Sequence, residues 1–284
     1  MMPCCVRETY SYKRKPSPNV GMSVFDECPS NDFRFLLKLP DSRLLLSCHS
    51  TNSVLVLDAD GKQISTISDW FSKPEGLALW ENHVYIVDRY KHCVHVFNAS
   101  TLEHVTAFGG PGQDPGQFNQ PVGIAVGENG LLWVADNENH RVQALTPSGQ
   151  HVKTLGVVGQ LSDAPGFFFC PCGIATYQHP QHGELVLVSE WGGHRVQVFK
   201  GEKVFAIYSG IQNAHSLCVH GGEMYVSEYG SASVRKFLLD GERVQLEQNA
   251  VSLSADGESM LIVERHKLKQ IRLIGKRKRG RKVA

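Results

Sequence analysis

The chain repeats itself, and that constrains its fold more than any other feature of its 284 residues. The segments VYIVDRYKHCVHVF (84–97), LWVADNENHRVQAL (132–145), VLVSEWGGHRVQVF (186–199) and MYVSEYGSASVRKF (224–237) align without gaps. Each is a short apolar run ending on an acid (Asp88, Asp136, Glu190, Glu228). Five turn residues follow, and an alternating run resumes at Val94, Val142, Val196 and Val234. Two looser copies extend the series. LLLSCHSTNSVLVL (44–57) has Cys48 in place of the acid, and MLIVERHKLKQIRLI (260–274) keeps Glu264 but reaches Ile271 through a turn one residue longer. The markers at 48, 88, 136, 190, 228 and 264 lie 36 to 54 residues apart, a spacing typical of one supersecondary unit per repeat.

Each unit reads as four strands. Upstream of the markers lie PEGLAL (74–79), PVGIAV (121–126) and PCGIAT (171–176), with looser versions AHSLCV (214–219) and AVSLS (250–254). Pro suits the first residue of a strand, and Gly suits a position where another backbone comes close. Turns such as DADGK (58–62), TPSGQ (146–150) and LDGER (239–243) lead to a fourth run. Short sheets of this kind hide their faces by packing radially on one another, and hydrophobic residues, 42% of the chain, are enough to fill the spaces between them. The expected fold is all-β, a six-bladed β-propeller of four-stranded blades over residues 31–274. Residues 1–30 form an N-terminal segment whose Cys5–Tyr12 region is expected to close the last blade, and 275–284 form a basic tail.

The motifs P-x-G-I-A-V, V-A-D-x-x-N-H-R-V-Q and V-x-x-F-G-G resemble the NHL repeat, most closely in blades two to four. The resemblance implies a six-bladed ring that selects binding partners. In the family's ubiquitin ligases a RING domain precedes the propeller, and this chain has no CxxC pair to build one. By resemblance it matches the recognition module alone, with an adaptor's part in ubiquitin-linked regulation.

Channel chemistry is weighed from the inner strands. Aligning the repeats gives a ring of Phe35, Glu75, Val122, Cys172, His215 and Val251 at the channel mouth. Similar propellers include an amidating lyase and lactonases that bind metal there, and Ala214-His215-Ser216-Leu217 resembles the lyase's metal-binding stretch. The other ring members are mostly apolar, and a zinc site needs at least three protein ligands held together. No catalytic residue, metal or cofactor is therefore expected. His92, His140 and His194 recur four after the marker acid and read as turn residues, while Arg141 and Arg195 are expected to pair with acids or carbonyls of an adjacent blade. The glycines of GGPGQDPGQF (109–118) serve turns, since neither a P-loop nor GxSxG is present.

The face formed by the turns and connectors offers Trp70, Phe71, Arg89, Tyr90, Phe118, Asn137, Asn139, Phe168, Trp191 and Tyr229 as binding candidates, about half of the aromatics being expected to plug gaps between blades. Of the Phe167-Phe168-Phe169 run, one side chain is expected buried, one at the edge and one exposed. The face loops sum to about −3, whereas RNA-binding members of the family use a basic face. A protein or peptide ligand is the expected partner, with no oligomer indicated. The alternative is single-stranded RNA bound by the face and the tail, and the third reading is a metal-dependent lyase or lactonase.

The net charge of +1 is an average of unlike parts: residues 1–20 carry +3 and 276–284 carry +6, leaving −8 for 21–275. The tail residues Lys276, Arg277, Lys278, Arg279, Arg281 and Lys282 read as a nuclear-import signal or a nucleic-acid arm. The polar start and the lack of a long apolar run imply a cytoplasmic or nuclear chain without a membrane span.

Overall fold

The structure is a computed structural model that describes residues 22–24, 33–229, 233–239, 243–246, 252–255, 259–264 and 267–272, with side chains for 33–229 and 233–239. The apolar runs are strands, and the polar turns between them are hairpins that pair neighbours antiparallel. Residues 33–67, 74–109, 121–156, 171–209 and 214–246 form successive four-stranded sheets, here blades 1 to 5. Their first strands, Phe33–Lys38, Pro74–Trp80, Pro121–Val126, Pro171–His179 and Ala214–His220, pack side by side, and Ser252–Ala255 lies between the last and the first. The sheets therefore stand radially around an axis, and the fold is an all-β propeller with four-stranded blades.

The structure differs from the expectation of six like blades. Five blades consist of four consecutive strands, not six. The remaining sheet is composite: Ser252–Ala255, Ser259–Glu264 and Lys267–Arg272 are joined by Met22–Val24, which pairs antiparallel with Lys269–Ile271. The fourth strand of this sheet thus comes from ahead of blade 1 and covers the edge of Lys267–Arg272. The Cys5–Tyr12 segment expected in this role lies outside the described residues. Truncation of residues 1–24 should lower the melting temperature by several degrees, whereas truncation of 1–15 leaves the pairing in place. Equal melting temperatures for the two truncations, measured by circular dichroism, would contradict this assignment.

The core is divided among the gaps between blades. One cluster joins Val54, Val56, Val84 and Phe97 of blades 1 and 2, and another joins Val94, Phe118, Ile124 and Val134 around blades 2 and 3. Trp133, Val142, Val186 and Phe199 fill the next gap, and Leu187, Val198, Met224 and Phe237 the one after it. Middle strands are buried on both faces, as in Leu44–Cys48, while the outermost strand Gln63–Ile67 is largely exposed.

One irregularity recurs in every blade. The register between the first and second strands shifts between Phe33 and Leu36, Pro74 and Leu77, Pro121 and Ile124, Pro171 and Ile174, and Ala214 and Leu217. A bulge frees backbone groups and re-aims a side chain. In blades 1, 4 and 5 a serine of the second strand accepts the freed N–H: Phe35 N–H donates to Ser47 Oγ at 2.9 Å, Gly173 to Ser189 at 2.8 Å and Ser216 to Ser227 at 3.0 Å. The bulge also fixes which residue each inner strand holds at the channel mouth.

Candidate functional site

The marker acids build the face around that mouth. Among the described residues, each of the four carboxylates is buried and accepts a backbone N–H of the connector entering its own blade. Ser72 and Lys73 donate to Asp88, Asn119 to Asp136, Phe169 to Glu190 and Gln212 to Glu228. In blades 3 and 4 an arginine completes the arrangement. Arg141 Nε donates to Asp136 Oδ2 at 2.7 Å, and its other nitrogens reach the carbonyls of Gln113, Asp114 and Gln117. Arg195 does the same with Glu190 and the carbonyls of Asp163 and Phe167. Gln143 and Gln197, two residues on, bond the same carboxylates. These arginines bind their own blade's acid and its incoming connector rather than an acid of an adjacent blade, because the guanidinium folds back across the hairpin. Burial pushes the Asp136 and Glu190 carboxyls above their ordinary range and outweighs these partners. At Asp88 the balance reverses: burial raises it, but His95 and the N–H groups of Ser72, Lys91 and Lys73 hold it below.

His92, His140 and His194 are turn residues with a further function. All three adopt left-handed backbone, with φ of 54°, 54° and 50°. Nδ1 of each accepts a backbone N–H from the connector leading to the next blade: Gln120 at 3.0 Å, Cys170 at 3.4 Å and Asn213 at 3.1 Å. They tie blade to blade and do not converge. Burial lowers the affinity of His140 for a proton, which suits an imidazole that must accept.

The bulge register corrects the expected ring by one residue in blade 1. Phe33 pairs with Cys48 as Pro74 pairs with Asp88, so the counterpart of Glu75, Val122, Cys172 and His215 is Arg34, not Phe35. Blade 1 lacks the Pro-x-Gly signature that anchors the alignment elsewhere. Val251 lies outside the described residues. Glu75, Val122, Cys172 and His215 are all buried. Burial, reinforced by Glu75, pushes the Cys172 thiol well above its ordinary value.

The mouth has two unlike arcs. On blades 1 and 2 it is charged. Arg34 Nη2 lies 3.4 Å from His49 Nδ1, and His49 Nε2 lies 3.3 Å from Glu75 Oε1. Arginine can only donate, so Nδ1 accepts and Nε2 carries the proton facing Glu75. Arg89 Nη1 approaches the same carboxylate at 3.9 Å while its Nε donates to Gln120 Oε1 at 3.1 Å. On blades 4 and 5 the mouth is aromatic: Trp191 lies 4.7 Å from Tyr229 and 6.0 Å from His215, ring centre to ring centre. Phe35 meets His215 at 5.4 Å, and the Arg34 guanidinium lies over the Tyr229 ring at 5.7 Å, joining the two arcs.

Several face candidates are absent from this mouth. Phe71, Phe118, Phe168, Asn137 and Asn139 are buried. The three Phe plug gaps between blades, Asn137 Nδ2 donates to the Pro171 carbonyl, and Asn139 donates to Asp136 and to the Gly112 carbonyl. Within the triple-Phe run Phe168 is buried, Phe167 half-buried and Phe169 exposed. Trp70 is partly exposed but stacks on His104 at 3.7 Å, against the outer strands of blade 2. Arg89, Tyr90, Trp191 and Tyr229 remain at the mouth, joined by Arg34 and His49, which sequence reasoning missed. The tail residues lie outside the described residues. Among the described residues no three His, Cys, Asp or Glu side chains are grouped so as to hold a metal ion, and no helix is long and apolar enough to cross a membrane.

Residues 71–97 and 118–145 match the NHL repeat family. NHL repeat-containing protein 2 of Bos taurus is 36% identical over 73 residues, which cover 22% of this chain and 10% of that protein. Blades 2 and 3 of the propeller carry NHL repeats. A Caenorhabditis elegans protein named as a probable peptidyl-alpha-hydroxyglycine alpha-amidating lyase is 28% identical to this propeller over 182 residues, covering 62% of the propeller chain and 49% of the other. The chain thus spans half or less of the length of these curated relatives. Among solved structures, a catalytically inactive virginiamycin B lyase of Staphylococcus aureus superposes on the propeller with a TM-score of 0.65 at 13% identity, covering 87% of this chain and 82% of that one. At that identity the likeness is one of fold.

Proposed function

We propose that this NHL propeller is a noncatalytic recognition module that takes a protein or peptide at its channel mouth. The observation that carries the reading is the pairing of Arg34 and Arg89 with an aromatic arc of Trp191 and Tyr229. Arginine and large aromatics are the side chains that dominate protein recognition sites. The reading extends to an adaptor's part in ubiquitin-linked regulation, with the composite sheet as a sixth blade that completes the ring. Affinity capture from cell extract tests the reading, comparing the intact chain with an Arg34→Ala/Trp191→Ala variant of equal thermal stability. Proteins retained by the first and lost by the second support it. Identical sets overturn it.

A second reading, a lyase of the channel, is favoured by the C. elegans relative. Metal analysis of the purified chain separates the two, since stoichiometric zinc or calcium would replace the noncatalytic reading with this one.

A further inference from the structure

The inner strands have a second end, and it carries a cavity of about 400 Å³ that no part of the proposed function uses. It opens where the inner strands of blades 2, 3 and 4 finish, away from Glu75, Val122 and Cys172 at their beginnings. Its volume is within the range of sites that hold an organic ligand or a long side chain. Trp80 and Tyr177 form its walls, and Glu128 and Glu184 stand at its edge. Trp80 is held in place by close packing: a Cβ on Gly130 would lie 2.8 Å from the indole ring.

Two observations mark it as a built site. First, Glu128 and Glu184 have no cationic partner among the described residues, although both face the cavity. Glu184 Oε1 accepts the Glu128 N–H at 2.6 Å, which fixes the direction of its carboxylate. Second, the wall at Gly127 is closely packed from behind. Trp133 is 1% exposed, and its Nε1 has no hydrogen-bond partner among the described residues. A Cβ on Gly127, which lines the cavity, would lie 3.3 Å from that nitrogen and 2.5 Å from Glu184 Oε1. The Glu184 carboxylate and the Trp133 indole thus leave this wall little room to move.

We infer that this cavity binds the cationic side chain of a basic peptide segment, lysine or arginine. The aromatic walls take the methylene stem and the face of the cation. The two carboxylates take the charged head. The excess of −8 over residues 21–275 draws the same class of partner. The site is at the other end of the inner strands from the mouth and stands independently of the function proposed there.

Isothermal titration of the full chain with a capped peptide of alternating lysine and glycine tests the inference, with the same peptide acetylated on every lysine as control. Saturable binding is expected, weakened at least fivefold by acetylation and by the double change Glu128→Gln/Glu184→Gln. Glutamine at 184 can still accept the Glu128 N–H, so the variant should keep its fold, checked by melting temperature. Ile64→Ser, on the exposed outer strand of blade 1, should leave the affinity unchanged. Absence of saturable binding, equal binding of the acetylated peptide, or binding that the glutamine pair does not alter would each overturn the inference.

Discussion

Replacing Arg141 by methionine should destabilise the propeller by about 3 to 5 kcal/mol, the usual cost of removing one partner of a buried ion pair. The guanidinium is 2% exposed and serves four acceptors at once: Asp136 Oδ2 and the carbonyls of Gln113, Asp114 and Gln117. Methionine fills much of the volume but leaves the carboxylate facing only N–H donors and takes a donor from three connector carbonyls, of which Asp114 keeps the Gln117 N–H and Gln117 keeps Gln143 Nε2. The sign of the pH effect follows from the direction of the shift. The Asp136 carboxyl already lies above its unfolded value, so the folded chain holds its proton more tightly and loses stability as pH rises through that window. Without the arginine the carboxyl moves higher still, and the deficit of the variant should shrink between pH 7 and pH 5. Adding Asp136→Asn should recover part of the loss, since the amide oxygen can still accept the Asn119 N–H. Urea unfolding at the two pH values measures all of this. A loss below about 1 kcal/mol would assign the pair no more weight than an exposed ion pair.

Gly123→Ala should be at least as damaging, with a loss of about 3 kcal/mol or more, or failure to fold, because the added methyl meets backbone rather than an adaptable side chain. A Cβ there would collide with the Cys172 carbonyl and lie 3.1 Å from both Gly173 Cα and Ile174 N. Gly76 has the same relation to Val122, whose carbonyl oxygen would be 2.6 Å away, and Gly173 to the His215 carbonyl. Inner strands of successive blades thus touch through their main chains at this level. Gly210→Ala is the comparison. Nothing lies within 4 Å of its Cβ site, and its φ of 76° should cost about 1 kcal/mol through conformation alone. Similar melting temperatures for the two variants would show that the ring can open to admit a methyl.

Much of this architecture was legible in the sequence, because a propeller repeats its instructions. Pro121-Val-Gly123 states a strand start and a close approach, and Asp136 with Val142 states a hairpin; both are local and both recur. What was not legible depends on neighbours. Tyr90 and Phe118 are both aromatic residues of face loops, yet the first is 53% exposed and the second fully buried, a difference set by the next blade. The Asp136–Arg141–Gln143 spacing was visible as N-H-R-V-Q, but the partner of the arginine depended on how the hairpin folds back. Arg34 was missed because its blade lacks the proline and glycine that fix register elsewhere. The cavity beneath Trp80 and Tyr177 was missed for a related reason: the ends of the inner strands are where the repeats differ most, so no pattern pointed there. Met-Ser-Val at 22–24 is too short to show a period at all.

That short strand has a consequence for how the molecule is made. Met22–Val24 precedes blade 1 and its partners Lys269–Ile271 follow blade 5, so the contact that joins them spans all five blades and has a far larger sequence separation than any hairpin. Blades 1 to 5 can each fold from local hairpins as they emerge from the ribosome, at about 5 to 20 residues per second. Until Ser252–Ala255 comes to lie beside Phe33–Lys38, blade 1 has no neighbour on that side of its first strand, and Phe33, Leu36, Leu46 and Leu57 form an apolar cluster of their own. The chain is therefore most prone to self-association after blades 1 to 5 have folded and before this contact forms.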